Sequence, residues 1–183
     1  MAWYVAMLRS INIGARNRIA MPDLRALVES LGFDDVSTYL QSGNVVLSGK
    51  GSASAVAASI EAAIHSELGL TVPVIVRTTS QMETITGSSP YGEVEGDPRL
   101  FHVTFLAETP GGESLKKLAG PPDRFGDDEF KVVGQDVYLY VPGGYGETKL
   151  NNSFFEKRLG VVATTRNWRS VTALAEMAGV ATP

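Results

Sequence analysis

Trp3-Tyr-Val-Ala-Met-Leu-Arg9 constrains the fold more than any other stretch, because it is apolar on both faces of the strand it would form. A strand of that kind needs cover on both sides, so it belongs in the interior of a sheet. Everything after it must supply flanking strands and covering helices. Ser10 to Ala20 is a polar loop carrying Asn12, Gly14 and Asn17. Pro22 suits the first turn of a helix whose buried stripe is Leu24, Leu27, Val28 and Leu31, and Gly32 ends it. Val36 to Leu40 and Asn44 to Ser48 read as strands joined by Gln41-Ser-Gly43, a hairpin signal. Ser52 to Leu68 is a helix with Val56, Ile60, Ile64 and Leu68 on one face. Val72 to Thr78 is a strand, and Pro73 near its start suits an edge. The order is βαββαβ, the ferredoxin-like split unit.

Residues 79–99 connect this half to the next, with a short helix over Ser80 to Thr86. Leu100 to Leu106 opens the second half as a strand. A helix around Gly112 to Leu118 follows, then strands over Glu129 to Val133 and Asp136 to Val141, then two closing helices with an extended piece between them. That reads βαββαα. The expected fold is α+β, with two subdomains over residues 1–90 and 91–183, each partly ferredoxin-like, built on mainly antiparallel sheets. A chain of 183 residues that is 44% apolar can bury a core of this size.

Composition excludes several chemistries. There is no cysteine, hence no disulfide framework, cysteine nucleophile or cysteine metal site. No run is long and apolar enough for a membrane span, and the chain starts directly as a strand without a signal-peptide pattern. The expectation is a cytoplasmic protein with no membrane partner. Net charge is −4, which disfavours generic binding to long nucleic acid. The charge is uneven, however. Residues 9–18 carry three arginines and no acid, and residues 142–169 carry five bases against two acids. The rest holds eight bases against eighteen acids. If the two basic segments meet, they form a cationic patch on an acidic body, suited to a small anion.

The second segment is the most individual part of the chain. Asp136 to Val141 is a strand stopped by Pro142-Gly-Gly. Gly143, Gly144 and Gly146 then make a loop able to turn its backbone N–H groups outward. The helix after it is capped either by Thr148 or by Ser153 in a box with Glu156, and Gly160 suits its C-terminus. The last helix is capped by Thr165 or Asn167. That puts Arg166 and Arg169 near a positive helix end, which disfavours cations and welcomes an anion. Tyr145, in the Gly-rich loop, is the aromatic expected to be exposed and to meet a ligand.

Catalytic signals are weak. The loop Gly143 to Lys149 lacks the Gly-Lys-Ser/Thr of a P-loop and the spacing of a dinucleotide fingerprint, so no cofactor is indicated. His65 and His102 do not cluster with other ligands, and no metal set is visible. Ser42 is not in a nucleophile elbow. Asp127-Asp128-Glu129 reads as a solvated turn before a strand. No general base is visible.

Four motifs carry a family resemblance: Tyr4-Val-Ala-Met-Leu-Arg-Ser-Ile-Asn-Ile-Gly14, Tyr39-Leu-Gln-Ser-Gly-Asn-Val-Val46, Gly144-Tyr-Gly-Glu-Thr-Lys-Leu-Asn-Asn-Ser-Phe-Phe-Glu-Lys-Arg-Leu-Gly160 and Ala163-Thr-Thr-Arg-Asn-Trp168. Together, and in this order, they resemble the bacterial family called domain of unknown function 1697. The resemblance implies two small α+β halves and brings no activity or catalytic residue with it. Two positions depart from the family: Ser10 follows Arg9 where glycine is usual, and Ala15 stands where glycine is common. The candidate ligand site is Arg9, Asn12, Tyr145, Lys149, Arg166, Asn167 and Arg169. Arginine offers bidentate contacts to phosphate, lysine a point charge and asparagine a hydrogen-bond pair. The expected function is binding of a small anionic or phosphorylated ligand such as a nucleotide, with a short nucleic-acid segment also possible. The alternatives are a structural or protein-interaction module without a small ligand, and an enzyme acting on a phosphorylated substrate.

Overall fold

The computed structural model describes residues 1–92, 97–119 and 122–181. They form two compact units, one made of Met1–Thr84 with the segment from Ala173 onward, the other of Ile85–Thr172.

In the first unit, β1 (Ala2–Leu8), α1 (Met21–Ser30), β2 (Asp34–Tyr39), β3 (Asn44–Gly49), α2 (Ala53–Leu68) and β4 (Val74–Thr78) lead into α3 (Thr79–Gly87). The strands lie in the order β2-β3-β1-β4, with every pairing antiparallel. β1 is internal, and Tyr4 to Leu8 are all buried, as their two-sided apolar pattern requires. β4 lies at the edge, directly after Pro73. One face of β1 contributes Tyr4, Ala6 and Leu8 to a core shared with Leu24 and Val28 of α1 and Val56, Ile60 and Ile64 of α2. Ser52 caps α2 by accepting from the Ala55 N–H at 3.2 Å, and Gly69 closes it in the left-handed conformation.

The turn between β2 and β3 is packed tightly. Gly43 has φ of 76°, and a Cβ placed there would lie 2.6 Å from Ile11 Cδ1 and 2.9 Å from Leu8 Cβ. Its carbonyl accepts from the Leu8 N–H at 2.8 Å. Gly43→Ala should therefore cost about 2–4 kcal/mol, combining left-handed strain with overpacking. Urea unfolding would read this, and a loss below about 1 kcal/mol would refute the packing argument.

In the second unit, β5 (Phe101–Leu106), α4 (Gly112–Lys116), β6 (Glu129–Val133), β7 (Asp136–Tyr140), α5 (Asn152–Leu159) and β8 (Ala163–Asn167) lead into α6 (Trp168–Met177). The strand order is β6-β7-β5-β8, again antiparallel throughout. This corrects the βαββαα reading. The extended piece between the closing helices is a full strand, with Ala163 to Asn167 paired to Leu106 to His102. Its sequence, Ala-Thr-Thr-Arg-Asn, has no apolar alternation, so only pairing with β5 identifies it. Both units therefore carry the same element order and the same strand order. The second core gathers Leu106, Val137, Leu139, Leu150, Phe155 and Leu159.

The cap of α5 is also corrected. Asn151 accepts from the Phe154 N–H at 3.0 Å, displacing both Thr148 and Ser153 as cap. Thr148 instead turns inward, donating to Asp128 Oδ2 at 2.5 Å and accepting from the Leu150 N–H at 3.0 Å. Gly160 closes the helix with φ of 74°, as expected.

The likeness of the units reaches single residues. Each has one buried arginine among its described residues, Arg77 and Arg166, fourth of the five residues in its last strand. Each pairs in register with a valine, Val5 or Val103, and donates Nη1 to the carbonyl of the residue before it. The residue after each arginine caps the next helix: Thr78 accepts from the Gln81 N–H and Asn167 from the Ser170 N–H.

Candidate functional site

In an antiparallel sheet of this order, the start of β5 lies beside the ends of β7 and β8. The Gly-rich loop leaves β7 at this end, and α6 begins here directly after β8. Five of the seven candidate residues belong to this unit: Tyr145, Lys149, Arg166, Asn167 and Arg169. Arg9 and Asn12 belong to the first unit.

Arg166 does not sit at an exposed helix terminus. It is on β8, 8% exposed, with Nη1 donating to Thr164 Oγ1 and to the Thr165 carbonyl, both at 2.9 Å. Burial lowers its pKa to about 10, and the nearby Tyr145 hydroxyl pulls in the opposite direction. Such a guanidinium remains charged at neutral pH and is held by its own strand. Asn167 is the residue that caps α6, its Oδ1 accepting from the Ser170 N–H at 2.8 Å. Arg169 lies in the first turn of α6, exposed and without an ion pair to any described residue. Lys149 is likewise exposed and unpaired among the described residues. No acidic residue occupies that first turn.

Tyr145 departs from the expected exposed position. It is half-buried against the second core, and its ring stacks on His102 with centroids 4.8 Å apart and planes at 24°. His102 itself is 7% exposed, and its Nδ1 makes no hydrogen bond. Burial pushes its pKa down to about 4, and a hydrogen bond to the Leu100 carbonyl acts the other way. The ring is therefore neutral under ordinary conditions. His102 is the direct register partner of Asn167, so its side chain stands beside the α6 cap on the same face of the sheet. Sequence reasoning set this histidine aside because nothing adjacent in the chain marked it. Its only signal was position at the start of a strand, and that becomes informative only with the register in hand.

In the first unit, Arg9 is half-buried and donates to Ser10 Oγ. Asn12 is committed to its own loop. Its Nδ2 donates to the carbonyls of Ile19 at 2.9 Å and Gln41 at 2.8 Å, and its Oδ1 accepts from the Ile19 N–H at 2.9 Å. All three bonds are to backbone, so Asn12 ties the loop to the β2–β3 turn. Ser10, the position at which the resemblance leads one to expect glycine, has φ of 55°. That left-handed backbone is a physical reason for glycine there. No group of three or more histidine, aspartate or glutamate side chains among the described residues could hold a metal.

The duplicated βαββαβα unit, with a cationic helix start at one end of its second sheet, defines an α+β protein of two similar subdomains. The chain belongs to the family described as protein of unknown function (DUF1697), whose model matches residues 1–138. Among solved structures it is similar to the conserved bacterial protein SP0830 from Streptococcus pneumoniae. The TM-score is 0.71 at 17% identity, over 97% of this chain and 98% of that one. At that identity the likeness concerns the fold. Among curated proteins nothing matches. No helix among the described residues is long and apolar enough to cross a membrane.

Proposed function

We propose that the second unit is a binding module for a small anionic or phosphorylated ligand such as a nucleotide, seated at the start of α6. The observation that carries this reading is Arg169, exposed and without an ion pair among the described residues, at a helix end that has no acidic residue in its first turn. Asn167 satisfies the Ser170 N–H, and the neighbouring first-turn N–H groups have no intrahelical partner. An oxyanion would neutralise both the arginine and the helix end. Lys149 and the Gly-rich loop would supply further contacts.

A thermal-shift series with sulfate, phosphate, AMP and ATP tests this, since a ligand selective for the native state raises its melting temperature. Arg169→Ala should abolish the shift. Without ligand the same variant should be more stable by about 0.3–1 kcal/mol, because a cation leaves a positive helix end. A ligand shift that survives Arg169→Ala, or no shift with any of the four anions, would overturn the reading.

The structural alternative draws on a specific observation as well. Asn12 and Arg166 are engaged by the fold itself, through bonds to backbone and to a strand neighbour. They are accordingly left out of the proposed contact set.

A further inference from the structure

We infer that two loops at one end of the first sheet, Ser10 to Ala20 and Leu40 to Gly43, form a contact surface for a membrane of anionic lipid. Ile13 and Leu40 enter the headgroup boundary, and Arg16 and Arg18 meet lipid phosphates. The inference is separate from the anion reading above and uses none of its contact residues. Ile13 is 69% exposed and Leu40 is 55% exposed. The loops are tied together, because Asn12 Nδ2 donates to the Gln41 carbonyl at 2.8 Å. That bond joins the residue before Ile13 to the residue after Leu40. An antiparallel bridge between Ile13 and Arg16 sets the isoleucine beside a cation. Single exposed aliphatics need no explanation, but two on adjoining loop tips mark a contact surface.

Leu40 carries the stronger argument. Its φ is 56°, a backbone that leucine rarely adopts and that asparagine or glycine adopts readily. Leucine there strains the chain and holds apolar surface in water, so stability alone favours another residue. Strain kept at an exposed tip points to a use outside the fold.

Charge selects the partner. Arg16 and Arg18 are exposed and have no ion pair to any described residue. Residues 9–20 and 36–49 contain no acid, and the first carboxylate after the longer loop is Asp23 in the first turn of α1. On a chain of net charge −4, an acid-free cationic tip is the part that an anionic surface attracts. A soluble polyanion would use the arginines and leave Ile13 and Leu40 in water, whereas a lipid surface uses all four. Such a contact needs no spanning helix, and the sequence expectation of no membrane partner rested on the lack of one.

Co-sedimentation of the full chain with lipid vesicles tests this. One set is phosphatidylcholine alone, and the other is equal parts phosphatidylcholine and phosphatidylglycerol. The mixed vesicles should bind about 25-fold more tightly, because each arginine near an anionic surface contributes about fivefold. Replacing both arginines, by Arg16→Gln with Arg18→Gln, should remove that difference. Ile13→Ser and Leu40→Asn should each weaken binding to mixed vesicles about tenfold with both arginines in place, the loss expected when an aliphatic side chain stays in water. Asparagine suits the backbone at position 40, so the melting temperature of Leu40→Asn should not fall, and its loss of binding is then not a loss of fold. Absent binding, or equal binding to both vesicle types, overturns the inference. Binding that depends on the arginines while both aliphatic variants match wild type overturns it in favour of a soluble polyanion.

Discussion

Arg166→Ala is expected to destabilise the protein by about 2–5 kcal/mol, rather than to act as a silent binding variant. The substitution removes a side chain that is 8% exposed and leaves Thr164 Oγ1 and the Thr165 carbonyl without their donor. Each buried acceptor left unsatisfied costs about 1–3 kcal/mol, and the void adds to that. Arg166→Met should behave differently. It fills most of the volume and relieves the burial of a charge, which the fall in pKa from 12.5 to about 10 puts at roughly 3 kcal/mol. Replacing a buried charge by an apolar chain of similar size is often neutral. Methionine should therefore retain at least half of the stability that alanine loses. Urea denaturation of the three proteins decides it. An alanine variant within 1 kcal/mol of wild type would show that the arginine contributes little to the fold.

Acidification from pH 7 to pH 4 should cost wild type about 3 kcal/mol more than it costs His102→Phe. The unfolded histidine takes a proton near pH 6.5, whereas in the folded protein burial holds the pKa down to about 4. Above pH 7 both states are neutral, and the group is silent. Between 6.5 and 4 the unfolded state binds the extra proton, so stability falls with pH by up to 1.36 kcal/mol per unit. Below pH 4 both states are protonated and the penalty is complete. The phenylalanine variant keeps the stack on Tyr145 and has nothing to titrate at this position. Taking the difference between the two profiles removes the contribution of carboxylates common to both proteins. Parallel profiles would mean that the imidazole is hydrated in the native state and that its burial has no electrostatic consequence.

Much of the architecture was readable residue by residue. The two-sided apolar run from Tyr4 to Leu8 could only be an internal strand, and it lies between β3 and β4. Pro73 marked an edge, Gly160 a helix end and Thr165 or Asn167 a cap, the position falling to Asn167, since each is a local backbone requirement written into one residue type. The same local reading failed where two caps competed. Thr148 and Ser153 had the right chemistry for α5, but Asn151 has the position. Thr148 was drawn inward by Asp128, twenty residues earlier in the chain.

The candidate site was legible as a list of basic residues and illegible as geometry. Sequence spacing put Arg166 and Arg169 at one helix end, yet the first lies within a strand and is buried, while the second is exposed. Tyr145 in a loop of glycines suggested an open ring, but His102, 43 residues earlier, gives it a stacking partner. No periodicity reveals such a pair.

By itself the sequence determined the kind and order of most elements, the interior place of β1 and the absence of cysteine chemistry, because these depend on hydrophobic period, turn residues and composition. Only the tertiary structure decided that Ala163–Asn167 is a strand, that Arg166 is enclosed and Arg169 exposed, and that His102 stands beside Asn167. Those outcomes depend on which strand pairs with which and in what register. Register is a non-local property, settled by the packing of whole faces rather than by any single stretch.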